Sequence, residues 1–259
     1  MFRGEIIVGA VSYVPLEEGI NYRYRIIEEV VRKNAYMDLI CFGELFLNNN
    51  LDLYNLKKNG FENEKESEVE KVIESIRMLS KKYDLAISFG HILKEDNKFY
   101  IVQRVVFPSQ EDYIYRKVHL GHNERKIFNP GDTIDVFHYK EYTFGIQICI
   151  DTHIQEMSLI QKSMGAEIII APFNTPYAPP KRLKNWSKYI LTRSYEYNLC
   201  FICTNLYGGL QIINGYGNSV KSSIDTDTVE SYAISFQKDF NHKLDFLSYR
   251  RPSVYLKHM

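Results

Sequence analysis

Short apolar runs alternate along the chain with longer stretches carrying an apolar residue every third or fourth position. EIIVGAVSY (5–13) is a β-rich apolar run and reads as a first strand. From Gly19 to Lys33, Ile20, Tyr24, Ile27 and Val31 fall on one helical face. MDLICF (37–42) is too short for a helix and too apolar for an exposed strand, and it leads into Gly43-Glu44. Val69, Val72, Ile73, Ile76, Leu79 and Tyr83 keep the spacing of a buried helical stripe. DLAISFG (84–90) and KFYIVQRVVF (98–107) read as strands, followed by DYIYRKVHL (112–120) and the central strand EYTFGIQIC (141–149). Glu156 to Gly165 predicts a short helix stopped by its glycine. AEIIIAP (166–172) predicts a strand covered on both faces. After the Pro-rich TPYAPP, Lys181 to Tyr197 predicts a helix with Leu183, Trp186, Ile190 and Tyr197 inward, then LCFICTN (199–205) a buried strand. Residues 211–236 read as short strands and turns, and the last twenty as a final helix and an extended tail.

Strands alternating with helices, with hairpin-like pairs among them, define an α/β chain. No linker or internal repeat divides residues 1–259, so a single domain is expected. Residues 48–66 read as a polar surface loop, and the charge run at 62–71 as a solvated helix face.

Composition narrows the function classes. Lysines and arginines equal aspartates and glutamates at 32 each, so charge makes no case for nucleic acid or an anionic membrane. The 20 tyrosines read as compositional bias and amphipathic surface rather than a stacking platform for bases. The start lacks the pattern of a secretory signal, and no apolar run approaches a membrane span. Four cysteines (Cys41, Cys149, Cys200 and Cys203) suit free thiols in a reducing compartment, and a cytoplasmic location is expected. Cys200 and Cys203 form a Cys-x-x-Cys within a strand run, where positions three apart point to opposite faces, so they read as core thiols and not a metal pair.

Three apolar runs lead into polar residues of catalytic type: MDLICFG into Glu44, DYIYR into Lys117 and FGIQI into Cys149. In an α/β sheet such strand ends gather at one edge, where ligands bind. A thiol is a weak nucleophile until it loses its proton. Glu44 is a candidate for taking that proton, its pKa raised by burial, and Lys117 for holding an oxyanion. His119 and His153 are the histidines near these segments, so a Cys149–His119 thiol hydrolase of another fold stays open.

The same residues carry a resemblance. GELF with Glu44, YRKVHL with Lys117, ERKIFNPGD with Glu124, GIQICID-x4-E with Cys149 and Glu156, GAEIIIAPFNTP, the helix with Arg193 and Glu196 before Asn205, Gly217-Asn-Ser219 and the tail RRPSVY follow in order. The chain resembles the nitrilase, or carbon–nitrogen hydrolase, superfamily over nearly its full length. The resemblance implies a four-layer α-β-β-α sandwich, built into homodimers or higher homo-oligomers. It implies Glu44 as general base, Lys117 as oxyanion stabiliser, Cys149 as nucleophile and Glu124 as an additional glutamate that positions lysine and substrate. The Ile150 N–H would complete the oxyanion hole, and no metal or organic cofactor would be needed.

The expected substrate is a small linear amide, an ω-amide or a carbamoyl compound, cleaved through a thioester on Cys149. A nitrile substrate, capture of the thioester by an amine, and a silent scaffold of the same fold are the alternatives. By position beside the three strand ends, Phe46, Phe128, Thr152, His153, Asn174 and Tyr177 are candidate pocket walls. The chain departs from the family's pattern at Gly43, where a proline is common, at His153, where many members have arginine, and at Gln155, where they have proline. SSIDTDT (222–228) replaces the family's late Asp-Pro-x-Gly turn. No run of basic residues in these loops announces an acidic substrate.

Overall fold

The computed structural model describes residues 3–16, 19–48, 66–240, 243 and 245–257. Most of the polar stretch predicted at 48–66 lies outside them, as does part of the charge run at 62–71. Two six-stranded sheets form the centre. The first contains β1 (Ile6–Tyr13), β2 (Leu39–Cys41), β3 (Ala86–Glu95), β4 (Lys98–Val106), β5 (Tyr113–Arg116) and β12 (Asp227–Ile234), in the order β12-β1-β2-β3-β4-β5. The second contains β6 (Phe137–Tyr139), β7 (Tyr142–Ile146), β8 (Ile168–Phe173), β9 (Cys200–Asn205), β10 (Leu210–Ile213) and β11 (Ser219–Ser223), in the order β11-β10-β9-β8-β7-β6. Each sheet has three parallel strands at its heart, β1-β2-β3 and β7-β8-β9.

The alternation of side chains along each strand sorts the core into three layers. Ile168, Ile170, Cys200 and Ile202 point inward and meet Ile6, Val8, Leu39 and Ala86 of the other sheet. Ile169, Ala171, Phe201 and Cys203 point outward, against Trp186 and Ile190 of the helix Pro179–Tyr197. Cys200 and Cys203 thus lie on opposite faces, both buried as free thiols. On the far side Ile27, Val31, Val72, Ile73 and Ile76 cover Ile40, Phe42 and Ile87. These come from α1 (Ile20–Lys33) and α2 (Glu66–Tyr83). We label Gln155–Ser163 α3 and Pro179–Tyr197 α4. The result is the expected four-layer α-β-β-α sandwich.

Several boundaries differ from the expectations, for identifiable reasons. The strand expected to stop at Gly90 runs on to Glu95, because Asp96 and Asn97 take positive φ (49° and 59°) and close a two-residue hairpin into β4. Gly90 is needed inside the strand: a Cβ there would collide with the Leu45 backbone nitrogen, and Leu45 itself has φ 56°. β2 and β7 stop at Cys41 and Ile146, several residues before Glu44 and Cys149. SSIDTDT carries the chain from β11 in one sheet to β12 in the other, and the Thr226 carbonyl accepts from the Val14 N–H at 3.1 Å. The expected final helix is a single turn, Pro252–Tyr255.

Candidate active site

Sheet polarity brings the site together. β5 is antiparallel to β4 and β4 to β3, so β5 ends on the same edge as β2. Lys117 follows β5 directly. Its main chain is pinned on both sides, by Lys117 N–H to the Ile101 carbonyl (2.9 Å) and Gly131 N–H to the Lys117 carbonyl (2.8 Å). A side chain at Gly131 would strike the Arg116 carbonyl, so the Pro130-Gly131 turn packs against the lysine only as glycine. The Lys117 ammonium is 1 % exposed and donates to Glu44 Oε1 at 2.7 Å and to Glu124 Oε1 at 2.8 Å. Glu124 opens a 3-10 turn, and its other oxygen accepts from Gly121 N–H at 2.7 Å.

Glu44 is as buried as the lysine. Burial holds its pKa above the ordinary carboxylate range and the Glu124 charge adds to this, while Lys117 and the Asn174 main chain oppose it. For Lys117 burial works against the charge, but Glu44, Cys149 and Glu124 outweigh it and push the pKa upward.

Cys149 comes from the other sheet. It starts a 3-10 turn, Cys149–His153, with φ 49°, a left-handed backbone rare for a residue with a Cβ. Asp151 holds this turn in place. Fully buried, it accepts from Ile148 N–H (3.0 Å), the Tyr115 hydroxyl (2.9 Å) and His119 N–H (2.9 Å), and meets His119 Nδ1 at 2.8 Å. It ties the cysteine turn to the segment after β5, two residues from Lys117. The Cys149 thiol lies 3.7 Å from Thr175 Oγ1. Thr175 is set by Asn205, whose side chain accepts from Thr175 N–H (3.0 Å) and donates to the Thr175 carbonyl (3.2 Å).

Burial and the Glu44 charge push the Cys149 thiol up to about 11, against Lys117 and Thr175. At pH 7 only about one such thiol in ten thousand is ionised. A thiol held in this state depends on a neighbouring base if it is to attack as a thiolate. The largest influences on the thiol besides burial are Glu44, Lys117, Thr175 and Glu124. His119 is engaged by Asp151.

The other candidate residues separate. Phe46 and Phe128 are enclosed in the core, Phe46 beside Phe42 at 4.7 Å between ring centroids. Thr152 is buried and its hydroxyl donates to the Cys149 carbonyl at 2.6 Å, bracing the turn. The Ile150 amide sits at the start of that turn, where the first N–H groups have no partner within the helix. His153 is exposed and stacks on Tyr189 at 4.0 Å. It caps no helix, since α3 begins at Gln155 with no side-chain cap. Asn174 turns its main chain to Glu44, and its buried Oδ1 has no hydrogen-bond partner. Tyr177 is half-exposed, its ring beneath Lys181 and Arg182. Sequence reasoning missed Thr175, Tyr189 and Arg182. Arg182 carried a signal: it stands four residues before Trp186, on the helix face that packs inward.

A buried ammonium between two carboxylates, beside a thiol on a strained turn, at the edge of two stacked sheets: this defines a four-layer sandwich of the nitrilase superfamily. The chain belongs to the carbon–nitrogen hydrolase family, whose sequence profile matches residues 13–230. Over 127 residues it is 30 % identical to an (R)-stereoselective amidase of a Pseudomonas species, covering 48 % of this chain and 44 % of the relative. Over 147 residues it is 27 % identical to a probable nitrilase of Schizosaccharomyces pombe, covering 54 % and 52 %. The matched segments thus span about half the length of these curated relatives. Among solved structures, an amidase from a Nesterenkonia species superposes with a TM-score of 0.84 at 13 % identity, over 100 % of this chain and 98 % of that one. A carbon–nitrogen hydrolase from Helicobacter pylori gives 0.84 at 16 % identity, over 99 % of each chain. At these identities the likeness is one of fold.

Proposed function

We propose that the protein hydrolyses a small linear amide through a thioester on Cys149. Cys149 Sγ attacks the amide carbon while its proton passes to Glu44. The oxyanion is held by the Lys117 ammonium and the Ile150 N–H. Glu44 returns the proton to the nitrogen as the C–N bond breaks and ammonia or an amine leaves. Water then attacks the thioester, giving a proton to Glu44, and as the C–S bond breaks Glu44 passes that proton to the departing sulfur, which frees the acid and restores the thiol. Glu124 holds Lys117 in place throughout. The observation that supports this most is the Lys117 ammonium lodged between Glu44 and Glu124 at 2.7 and 2.8 Å, with burial and the Glu44 charge raising the pKa of the Cys149 thiol.

The test is ammonia release across a panel of ω-amides, carbamoyl amines and nitriles. Release from amides in wild type and none from Cys149→Ala is the expected result. Release that survives Cys149→Ala sinks this reading. We further propose a homo-oligomer, supported by outward apolar side chains at Tyr249 and Leu256 and at the Tyr195–Phe246 pair. Light scattering in solution tests it.

A further inference from the structure

Arg182 has no part in the mechanism above, yet it is 4 % exposed. It lies in the first turns of α4, on the stripe shared with Trp186 and Ile190. Its guanidinium rests against the faces of Phe173, Tyr177 and Trp186, at 5.1, 5.2 and 5.6 Å from their centroids. Its Nε has no hydrogen-bond partner. The other buried lysines and arginines of the described residues have an oxygen acceptor: Lys117 and Arg104 pair with carboxylates, and Arg23 donates through Nη1 to the Phe46 carbonyl, although its Nε, like that of Arg182, makes no hydrogen bond. Arginine cannot shed its proton to relieve burial, and ring faces offset only part of the cost of a desolvated charge. Tyr189, His153 and Cys203 lie within electrostatic reach of Arg182, none of them a carboxylate, and the buried Tyr189 hydroxyl has no hydrogen-bond partner.

This cation belongs to the thiol's side of the molecule. Phe173 runs directly into Asn174 and Thr175, and Thr175 touches the Cys149 thiol. Tyr189 feels the charges of both Arg182 and Cys149, and its ring stacks on His153. Partial burial and, after it, Arg182 lower the His153 imidazole's pKa. Tyr177, 39 % exposed, covers the guanidinium from outside.

We propose that Arg182 is a carboxylate-binding residue and that the substrate is a small amide which also carries a carboxylate, amide carbon at Cys149 and carboxylate at Arg182. The proposal rests on the hydrolase reading, so the test separates the two. Calorimetric titration with glutarate measures the anion site without turnover, on wild type, Arg182→Met and Arg182→Lys, each first checked for folding by circular dichroism. Ammonia release then compares succinamate, glutaramate and N-carbamoyl-β-alanine with butyramide and valeramide. The expected result is glutarate binding that Arg182→Met loses and Arg182→Lys partly keeps. In turnover, kcat/KM should favour carboxylate-bearing amides by roughly ten- to a hundredfold, and the preference should collapse in Arg182→Met. The favoured compound tells whether the carboxylate sits on the acyl chain or on the leaving group. Glutarate binding at Arg182 without hydrolysis of any amide supports the site and removes the hydrolase reading. Hydrolysis with no glutarate binding and equal rates on charged and neutral amides overturns the carboxylate site and leaves the hydrolase reading standing. If neither variant folds, the wild-type titration and preference decide alone.

Discussion

Two buried cations, Lys117 and Arg182, have opposite surroundings. Lys117 has two carboxylates at hydrogen-bonding distance, whereas Arg182 has three aromatic faces and no carboxylate. Around Lys117 burial is the main force that holds the Glu44 proton and the Cys149 proton more tightly than in water, with neighbouring carboxylate charge adding to it and Lys117 opposing it. Around Arg182 positive charge is left over. The first arrangement supplies a base and a fixed cation at the reacting carbon, and the second leaves a place for an anion. Arg23, similarly buried, differs in donating to a main-chain oxygen, the Phe46 carbonyl at 3.1 Å, two residues beyond Glu44.

The sharpest way to break the comparison is to remove each charge in turn. Lys117→Met leaves Glu44 and Glu124 facing each other, so we expect a loss of roughly 3–5 kcal/mol in urea unfolding at pH 8. That loss shrinks as the pH falls and the carboxylates take up protons. Activity should drop roughly 10²–10³-fold. Arg182→Met orphans no anion, and should cost only about 1 kcal/mol through the lost ring contacts. Equal losses for the two variants would refute the contrast.

A smaller effect concerns protons. With Glu44 held above its ordinary 4.5, kcat/KM in wild type should rise along a limb displaced from 4.5 towards neutrality. Glu44→Gln should lower the rate roughly 10²–10⁴-fold and abolish that limb. The stability sign follows from proton binding. Between 4.5 and its raised folded pKa, Glu44 is more protonated folded than unfolded, so stability falls as the pH rises through that window. Glu44→Gln should flatten that slope, as denaturation at stepped pH would show. Smaller again is Gly90→Ala, which pushes the Glu44–Leu45 backbone off β3. A loss of about 1–3 kcal/mol is expected, with reduced kcat because Glu44 moves. An unchanged melting temperature would mean that the turn tolerates the methyl group.

The two cations also differ in how far they could be read from sequence. Lys117, Glu44 and Cys149 follow apolar runs, and topology alone brings such strand ends to one edge, so their meeting was legible. Their exact strand ends were not: the positive φ of Leu45 and Cys149 ends regular structure early, and neither residue type advertises it. Gly90 read as a strand stop because its reason lies in a distant segment, the Leu45 backbone. On α4 the apolar pattern favoured Leu183, while the buried face runs through Arg182, Trp186, Ile190, Ser194 and Tyr197. A hydrophobic pattern passes over a charge on a buried stripe, and so Arg182 did not stand out in the sequence. Phe46 and Phe128 show the converse, apolar residues beside the site that serve the core.

The claim at the centre is that Cys149 carries the acyl group. Incubating the protein with glutaramate and with butyramide, quenching in acid and measuring intact mass with peptide mapping tests it directly. The account predicts one acyl adduct, on Cys149, absent from Cys149→Ala and strongly diminished in Glu44→Gln. An adduct on Cys41, Cys200 or Cys203, or turnover through a Cys149→Ala protein, would contradict it.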